Sequence, residues 1–123
     1  MKATELQIGD LVKIKGHLDY DKVQEIARDE NMQWYISYAC SATLFRAYEF
    51  EPIPLTPEIL EKNGWWFDTE DTWRHDEVNF TIEKWNGRYQ CYDINQIKLD
   101  SVHQLQRALR LCGLDELADN FKV

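Results

Sequence analysis

The sequence predicts an α+β fold: a small N-terminal sheet or barrel, a short linking helix, a second antiparallel sheet and a C-terminal helix. Three observations lead to this prediction. Short apolar segments separated by turns fill the N-terminal part of the chain. The dipeptide Asn86-Gly87 lies between two alternating runs, a pattern typical of a β-hairpin. The segment from Asp100 to Val123 carries apolar residues at helical spacing.

Apolar residues mark three N-terminal strands: Leu11, Val12 and Ile14; Val23 and Ile26; and Trp34, Ile36 and Tyr38. The three-residue spacing of Val23 and Ile26 predicts a bulge in the second strand, because a regular strand repeats every two residues. We expect Leu44 and Phe45 to be buried after the third strand. This series of short strands favours a curled sheet or an SH3-like barrel.

A short helix is expected to link the two sheets. Thr56 is a fitting N-cap, Pro57 suits the first helical position, and Gly64 is placed to end the helix. Ile59 and Leu60 would then face the core.

The second sheet is predicted from strongly aromatic segments. We expect a strand from Trp65 to Phe67, a second around Trp73 and a third through Val78, Phe80 and Ile82. The next strand follows Asn86-Gly87 and carries the alternating residues Tyr89 and Cys91. Ile94, Ile97 and Leu99 lead into the C-terminal helix.

One face of the C-terminal helix is expected to hold Val102, Leu105, Leu109 and Cys112. Ser101 and Gln104 have the spacing of a capping box, and Gly113 suits a left-handed residue after the last turn. Four polar residues are expected to stay in solvent: Gln104, Gln106, Arg107 and Arg110. His103 is expected at the surface or rim. Leu114, Leu117 and Phe121 indicate a second short helix or turn that folds back on the first.

The length of 123 residues predicts one compact domain, 1–123, with sub-halves 1–55 and 56–123 as an alternative. Cys40, Cys91 and Cys112 are odd in number and lack metal-ligand spacing, so we expect reduced and mostly buried thiols. The N-terminus has no apolar core of a signal peptide, and no apolar run is long enough for a membrane span. These features predict a cytoplasmic protein without membrane association.

Charge bears on the class of partner. The chain has 14 Lys and Arg against 22 Asp and Glu, giving a formal charge of -8. This excess disfavours non-specific binding to phosphate backbones. A nucleic-acid-associated accessory protein stays open as an alternative, and it would need a basic groove from Lys13, Lys15, Lys22 and Arg28.

Three segments carry a resemblance to a known family: ELQIGDLVKIK, PIPLTPEILEKNGW and VHQLQRALRLCGLDEL. Their order and spacing resemble small uncharacterised proteins encoded in prophages and integrative elements of anaerobic gut bacteria. That family continues after VHQLQ with aromatic residues and a Thr-Gly pair, where this chain has the residues from Arg107 to Gly113. The resemblance implies an origin on mobile DNA and a cytoplasmic role. It implies no activity, cofactor or catalytic residue.

No catalytic, cofactor or metal motif stands out in the sequence. An acidic run at 68–77 begins with Asp68 and ends with Glu77, but an EF-hand loop starting there would need Gly and Glu where Trp73 and Asn79 stand. We interpret this run as a solvated loop, with a divalent-cation site as a minor hypothesis. The five glycines show no phosphate-loop spacing. An enzyme with an unrecognised site remains an alternative.

The excess of aromatic residues is the feature that most favours an interaction role. The aromatic residues crowded into this part of the chain are Trp65, Trp66, Trp73, Trp85, Tyr89 and Tyr92. Neighbours Trp65 and Trp66 in a strand must point to opposite faces, so one of them is exposed unless both faces are covered. A thick aromatic core is one interpretation. The other is a surface at which Trp65, Trp66, Trp73 and Trp85 bind a protein partner.

The predicted function is therefore a non-enzymatic protein-interaction module without a cofactor. The expected partner is another protein, and a homodimer through an unpaired edge strand or through the aromatic patch is a further hypothesis.

Overall fold

A computed structural model describes residues 1–38, 44–91 and 97–123. The chain forms two compact units, Met1–Ile53 (the first unit) and Pro54–Val123 (the second unit). Each unit contains one antiparallel sheet, and the helices of the second unit follow or precede its strands. The predicted α+β class is confirmed.

The first unit is an open five-stranded sheet. Its strands are β1 (Leu11–Ile14), β2 (Tyr20–Arg28), β3 (Trp34–Tyr38), β4 (Leu44–Phe45) and β5 (Phe50–Glu51). Short 3₁₀ turns cover Ala3–Glu5 and Ala47–Glu49. The strand order is β4-β3-β2-β1-β5, and within the described ranges β4 and β5 do not pair with each other. The sheet is therefore not a closed barrel.

The first unit has its core on one face of this sheet. The buried cluster consists of Leu6, Val12, Val23, Ile36, Tyr38 and Phe50. The hydroxyl of Tyr38 donates to the carbonyl of Val12 at 3.1 Å, so its polar end is satisfied inside the core. The register between β2 and β3 shifts between Val23 and Glu25, which confirms the predicted bulge.

The expected burial of Leu44 is wrong, because 56% of its surface is exposed. Leu44 and Phe45 are neighbours in β4 and so point to opposite faces. Phe45 takes the core side, where its ring lies 6.0 Å from that of Tyr38 and 5.7 Å from that of Phe50, both edge-on. The larger ring fills the available space and Leu44 faces solvent.

The second unit combines a four-stranded sheet with three helices. The elements are α1 (Pro57–Lys62), β6 (Trp65–Phe67), β7 (Thr72–His75), β8 (Ile82–Trp85), β9 (Arg88–Cys91), α2 (Val102–Leu111) and α3 (Asp115–Asp119). The strand order is β6-β7-β8-β9, with all neighbours antiparallel. None of the described helices has the length and apolar character needed to cross a membrane.

Local signals fix the start of α1 as predicted. The hydroxyl of Thr56 accepts the backbone N–H of Ile59 at 3.3 Å, and Pro57 occupies the first turn. Ile59 and Leu60 are buried, as expected. The strand predicted from Val78 begins only at Ile82. Phe80 is buried just before it, and its carbonyl accepts the indole N–H of Trp65 at 3.3 Å.

The apolar face of α2 is confirmed for Val102, Leu105 and Leu109, which are fully buried. Cys112 lies beyond the last turn and is exposed, so its predicted burial is wrong, whereas Cys91 is buried. The predicted fold-back is confirmed by α3. Cys40, Tyr92 and Ile94 lie outside the described residues.

Two polar residues of α2 are buried against expectation. His103 is buried, and its Nδ1 lies 3.0 Å from the hydroxyl of Ser101. Gln106 is buried because α3 returns along this side of α2, and its amide donates to the carbonyl of Ala118 at 3.0 Å. A polar side chain is tolerated at each of these buried positions because it has a hydrogen-bond partner inside the second unit.

Candidate interaction surface

The sheet of the second unit has two faces of different character. Successive residues in a strand alternate between faces, so the register assigns each side chain. One face, here the inner face, includes the buried residues Trp65, Trp73, Ile82, Tyr89 and Cys91. The opposite face, here the outer face, consists of Trp66, Thr72, Arg74, Glu83, Trp85, Arg88 and Gln90. None of these outer-face residues is buried.

Trp65 and Trp73 are core residues. Their exposed fractions are 2% and 5%. Trp65 packs edge-on against the ring of His75 at 4.8 Å, and Trp73 packs edge-on against Phe67 at 5.5 Å. Their indoles offer almost no surface to a partner, so the partner-contact hypothesis narrows to Trp66 and Trp85.

Trp66 is exposed but held in one orientation. It retains 42% of its surface, and its indole N–H donates to the carboxylate of Asp76 at 2.9 Å. Arg74 lies opposite it on β7 and donates its Nε–H to Asp68 at 2.7 Å. The Trp66 indole is thus bonded to one carboxylate, and the residue opposite it carries a guanidinium that is paired with a second carboxylate.

Trp85 ends β8 at the other end of the outer face. Its exposed fraction is 66%, and it lies opposite Arg88 across the two-residue connection to β9. The connecting residues Asn86 and Gly87 have φ values of 50° and 77°. A tight turn thus presents the indole at the tip of two paired strands.

The two exposed indoles are separated by a polar strip. From Arg74, opposite Trp66, the path runs two residues along β7 to Thr72, across to Glu83, and two residues along β8 to Trp85. Four residues along the strands and two strand spacings place the two Cα atoms roughly 16 Å apart. Such a span suits the footprint of a protein segment rather than of one small molecule.

Carboxylates dominate the surroundings of the outer face. Glu70 and Asp71 are the last two residues of the β6–β7 connection, with φ values of 57° and 59°. These values are uncommon for residues other than glycine. The carbonyl of Asp71 accepts the N–H of Lys84 at 2.8 Å, which ties this acidic connection to β8. Asp76 and Glu77 lie at the other end of β7.

The acidic run at 68–77 makes internal contacts. Asp68 binds Arg74 and Asp76 binds Trp66. His75 accepts the N–H of Glu77 at its Nδ1, at 3.1 Å, and its Nε2 donates to the carbonyl of Asn63 at 3.0 Å. Among the residues with described positions, no group of three or more His, Cys, Asp or Glu side chains has the arrangement of a metal site.

Two of the four cations of the alternative basic groove are neighbours: Lys22 lies opposite Leu11, two residues from Lys13 and on the same face of the sheet. Lys13 forms an ion pair with Glu51 at 3.0 Å. Arg28 lies over the ring of Trp34, 4.4 Å from its centroid. It is six residues along β2 from Lys22, which corresponds to roughly 20 Å in an extended strand. Arg28 therefore lies apart from Lys13 and Lys22.

Sequence reasoning missed Phe67 as a surface residue. It is the last residue of β6 and points to the inner face. It is 54% exposed, whereas Trp65 on the same face is buried. Its position next to Trp66 at a strand end was the available signal.

Comparisons with protein-family models, with curated proteins and with solved structures found no match for this chain.

Proposed function

We propose that the protein is a non-enzymatic interaction module that binds a protein partner through the outer face of its second sheet. One observation carries the proposal: Trp66 and Trp85 are both exposed, and both lie on that face. Tryptophan is enriched among the residues that contribute most to binding energy at protein interfaces.

The setting of Trp66 supports a contact role. Its hydrogen bond to Asp76 restricts the indole before any partner arrives. A pre-ordered side chain loses less conformational entropy on binding than a mobile one. Charged residues around the two indoles would form the polar rim that surrounds the apolar centre of an interface.

Charge supports a protein partner over nucleic acid. The formal charge is -8, and the outer face is bordered by Asp68, Glu70, Asp71 and Asp76. Phosphate backbones are repelled by such a surface. The resemblance to prophage and mobile-element proteins supports a role in the cytoplasm of a bacterial host.

An SH3-like relationship of the first unit is part of this proposal. Three consecutive antiparallel strands are followed by β4, a 3₁₀ turn and β5, which returns to pair with β1. This return of the last strand to the first is the arrangement expected for a small curled sheet of that kind. It supports the proposed role of the protein as an interaction module.

The proposal is tested by affinity capture from a lysate of the bacterium that encodes the protein. Wild type is compared with Trp66→Ala, with Trp85→Ala and with Tyr48→Ala, an exposed aromatic of the first unit that serves as a matched control. We expect a stoichiometric protein that wild type and Tyr48→Ala retain and both tryptophan variants lose. Capture that persists in a Trp66→Ala/Trp85→Ala double variant would contradict the proposal, as would recovery of nucleic acid alone.

A further inference from the structure

Strand β6 forms an edge of the second sheet. Within the described ranges it pairs with β7 on one side only. The N–H of Asp68 donates to the carbonyl of Thr72 at 2.8 Å, so this pair is a hydrogen-bonded pair of the ladder. Such pairs alternate with non-bonded ones in antiparallel strands. Trp66 therefore directs its peptide groups toward β7, whereas Trp65 and Phe67 direct theirs away from it. Of these two residues only Phe67 is exposed, at 54% against 2% for Trp65.

The opposite edge of the same sheet is covered. The N–H of Cys91 donates to the carbonyl of Ile97 at 2.9 Å, and the N–H of Leu99 donates to the carbonyl of Tyr89 at 2.8 Å. The segment before α2 thus pairs with the edge of β9 that points away from β8. Strand β6 has the open edge among the strands described for this unit.

Aromatic side chains flank the open edge on both faces. Trp66 is exposed on the outer face, and Phe67 is exposed on the inner-face side. Proteins usually protect such an edge with a lysine, a proline, a bulge or an inward-pointing charge. The three residues of β6 are Trp, Trp and Phe, and its register with β7 is regular. The strand carries no lysine, proline, bulge or inward-pointing charge, and its length of three residues is its one protective feature.

Charge distinguishes between the possible occupants of this edge. Asp68 and Glu70 follow β6, Asp76 lies beside Trp66, and Glu61 lies on the preceding helix. A second copy of β6 would bring a second set of the same carboxylates to the edge, at a formal charge of -8 per chain. Like charges across an interface are unfavourable, whereas a basic segment gains attraction.

We infer that β6 accepts an extended, basic segment of a partner protein as an additional strand. Main-chain hydrogen bonds to Phe67, the exposed residue of β6 whose peptide groups point away from β7, would hold the segment, as in other cases of strand addition. Its alternating apolar side chains would contact Trp66 on one face and Phe67 on the other, and its lysine or arginine residues would face the flanking carboxylates. This inference deepens the proposed interaction function by naming the class of partner.

The test is selection of a random linear peptide library, displayed on phage, against the full chain. The enriched peptides are then synthesised, and their affinities are measured for wild type, Phe67→Pro, Phe67→Lys and the control Tyr48→Ala. Proline removes the outward N–H of Phe67, and edge strands tolerate this where the N–H makes no ladder bond. Lysine keeps that N–H but places a charge at the edge, so it serves as a second variant if proline unfolds the protein.

We expect enriched peptides with β-branched residues alternating with lysine or arginine. Their binding should weaken about tenfold or more in both Phe67 variants and fall with added salt. It should persist in Tyr48→Ala, because Tyr48 is an exposed residue of the first unit and is not part of the second sheet. In the bound complex, the amide of Phe67 should exchange its hydrogen more slowly.

Three results would overturn the inference: no enriched pattern, peptides that bind both Phe67 variants as tightly as wild type, or a wild-type dimer that Phe67→Lys dissociates. The last would assign the edge to a second copy of the chain. The outer-face proposal is contradicted by a different result: the Trp66→Ala/Trp85→Ala double variant would still retain the natural partner.

Discussion

A β-carbon placed on Gly64 would lie 2.6 Å from Nε2 of His75. Gly64 has a φ of 91°, a conformation that residues with side chains rarely adopt. The close approach lets His75 hydrogen-bond to the carbonyl of Asn63, immediately before Gly64. Asn63 in turn binds the backbone of Lys122 through both its amide nitrogen and its amide oxygen, at 2.7 Å each. One glycine therefore permits the junction of α1, β7 and the C-terminal segment.

Gly64→Ala is expected to lower the free energy of unfolding by about 2–4 kcal/mol, because it adds both backbone strain and a collision with His75. Urea denaturation measures the loss. Gly16→Ala is the matched control: Gly16 has a φ of 82° but nothing within 4 Å of the added carbon. It should cost about 1 kcal/mol from strain alone. Equal losses in the two variants would contradict the close approach.

Gln106→Leu is expected to destabilise the protein by about 1–3 kcal/mol although it makes α2 more apolar. The reason is that the buried carbonyl of Ala118 loses the amide donor of Gln106. Thermal and chemical denaturation report the change. Leu111→Gln, at an exposed position near the end of the same helix, should change stability little. A Gln106→Leu variant more stable than wild type would show that the hydrogen bond is dispensable.

The pKa of Asp29 is lowered, chiefly because its carboxylate accepts the backbone N–H of Gln33 at 2.9 Å. The side chain of Arg46 and the N–H of Asn31 add to the effect. A carboxyl with a folded pKa below its unfolded value stabilises the protein above the unfolded pKa. This stabilisation is lost as the pH falls through the folded pKa.

A carbon-detected NMR titration of Asp29 should therefore give a midpoint below the ordinary value of 3.8. Arg46→Met should raise that midpoint, since it removes the guanidinium that contacts Asp29 at 3.1 Å. A midpoint at or above 3.8 in wild type would contradict the hydrogen-bonded turn.

Cys112 should react with a thiol reagent in the native protein, whereas Cys91 should react only after unfolding, because only the first is exposed. Peptide mass spectrometry after brief alkylation assigns the labelled sites. Cys112→Ser provides the control that removes the fast signal at that peptide. Rapid native labelling of Cys91 would contradict its burial on the inner face of the second sheet.

Local signals in the sequence predicted much of the fold. Thr56 caps α1 through a contact within one turn, and Gly113 takes a φ of 76° just past α2. The bulge near Val23 followed from the spacing of apolar residues along one strand. These features depend on neighbours in the chain, so a single sequence contains the information needed to find them.

Features that depend on distant segments could not be predicted in this way. The burial of Gln106 requires the return of α3, which the periodicity of α2 does not encode. Alternation required Trp65 and Trp66 to point to opposite faces, but it could not say which one enters the core. The answer depends on the packing partners of Trp65, including Phe80 and Phe121. The candidate surface was therefore found as a set of four tryptophans and resolved to two by the structure.

The central claim, that the outer face binds a protein partner, is tested most directly by photo-crosslinking in cells that naturally produce the protein. A photo-reactive phenylalanine analogue replaces Trp85 in one strain and Tyr48 in another, both at exposed positions. The account predicts a cross-link from position 85 to one protein and none from position 48. Cross-linking from position 48 with none from position 85 would contradict it.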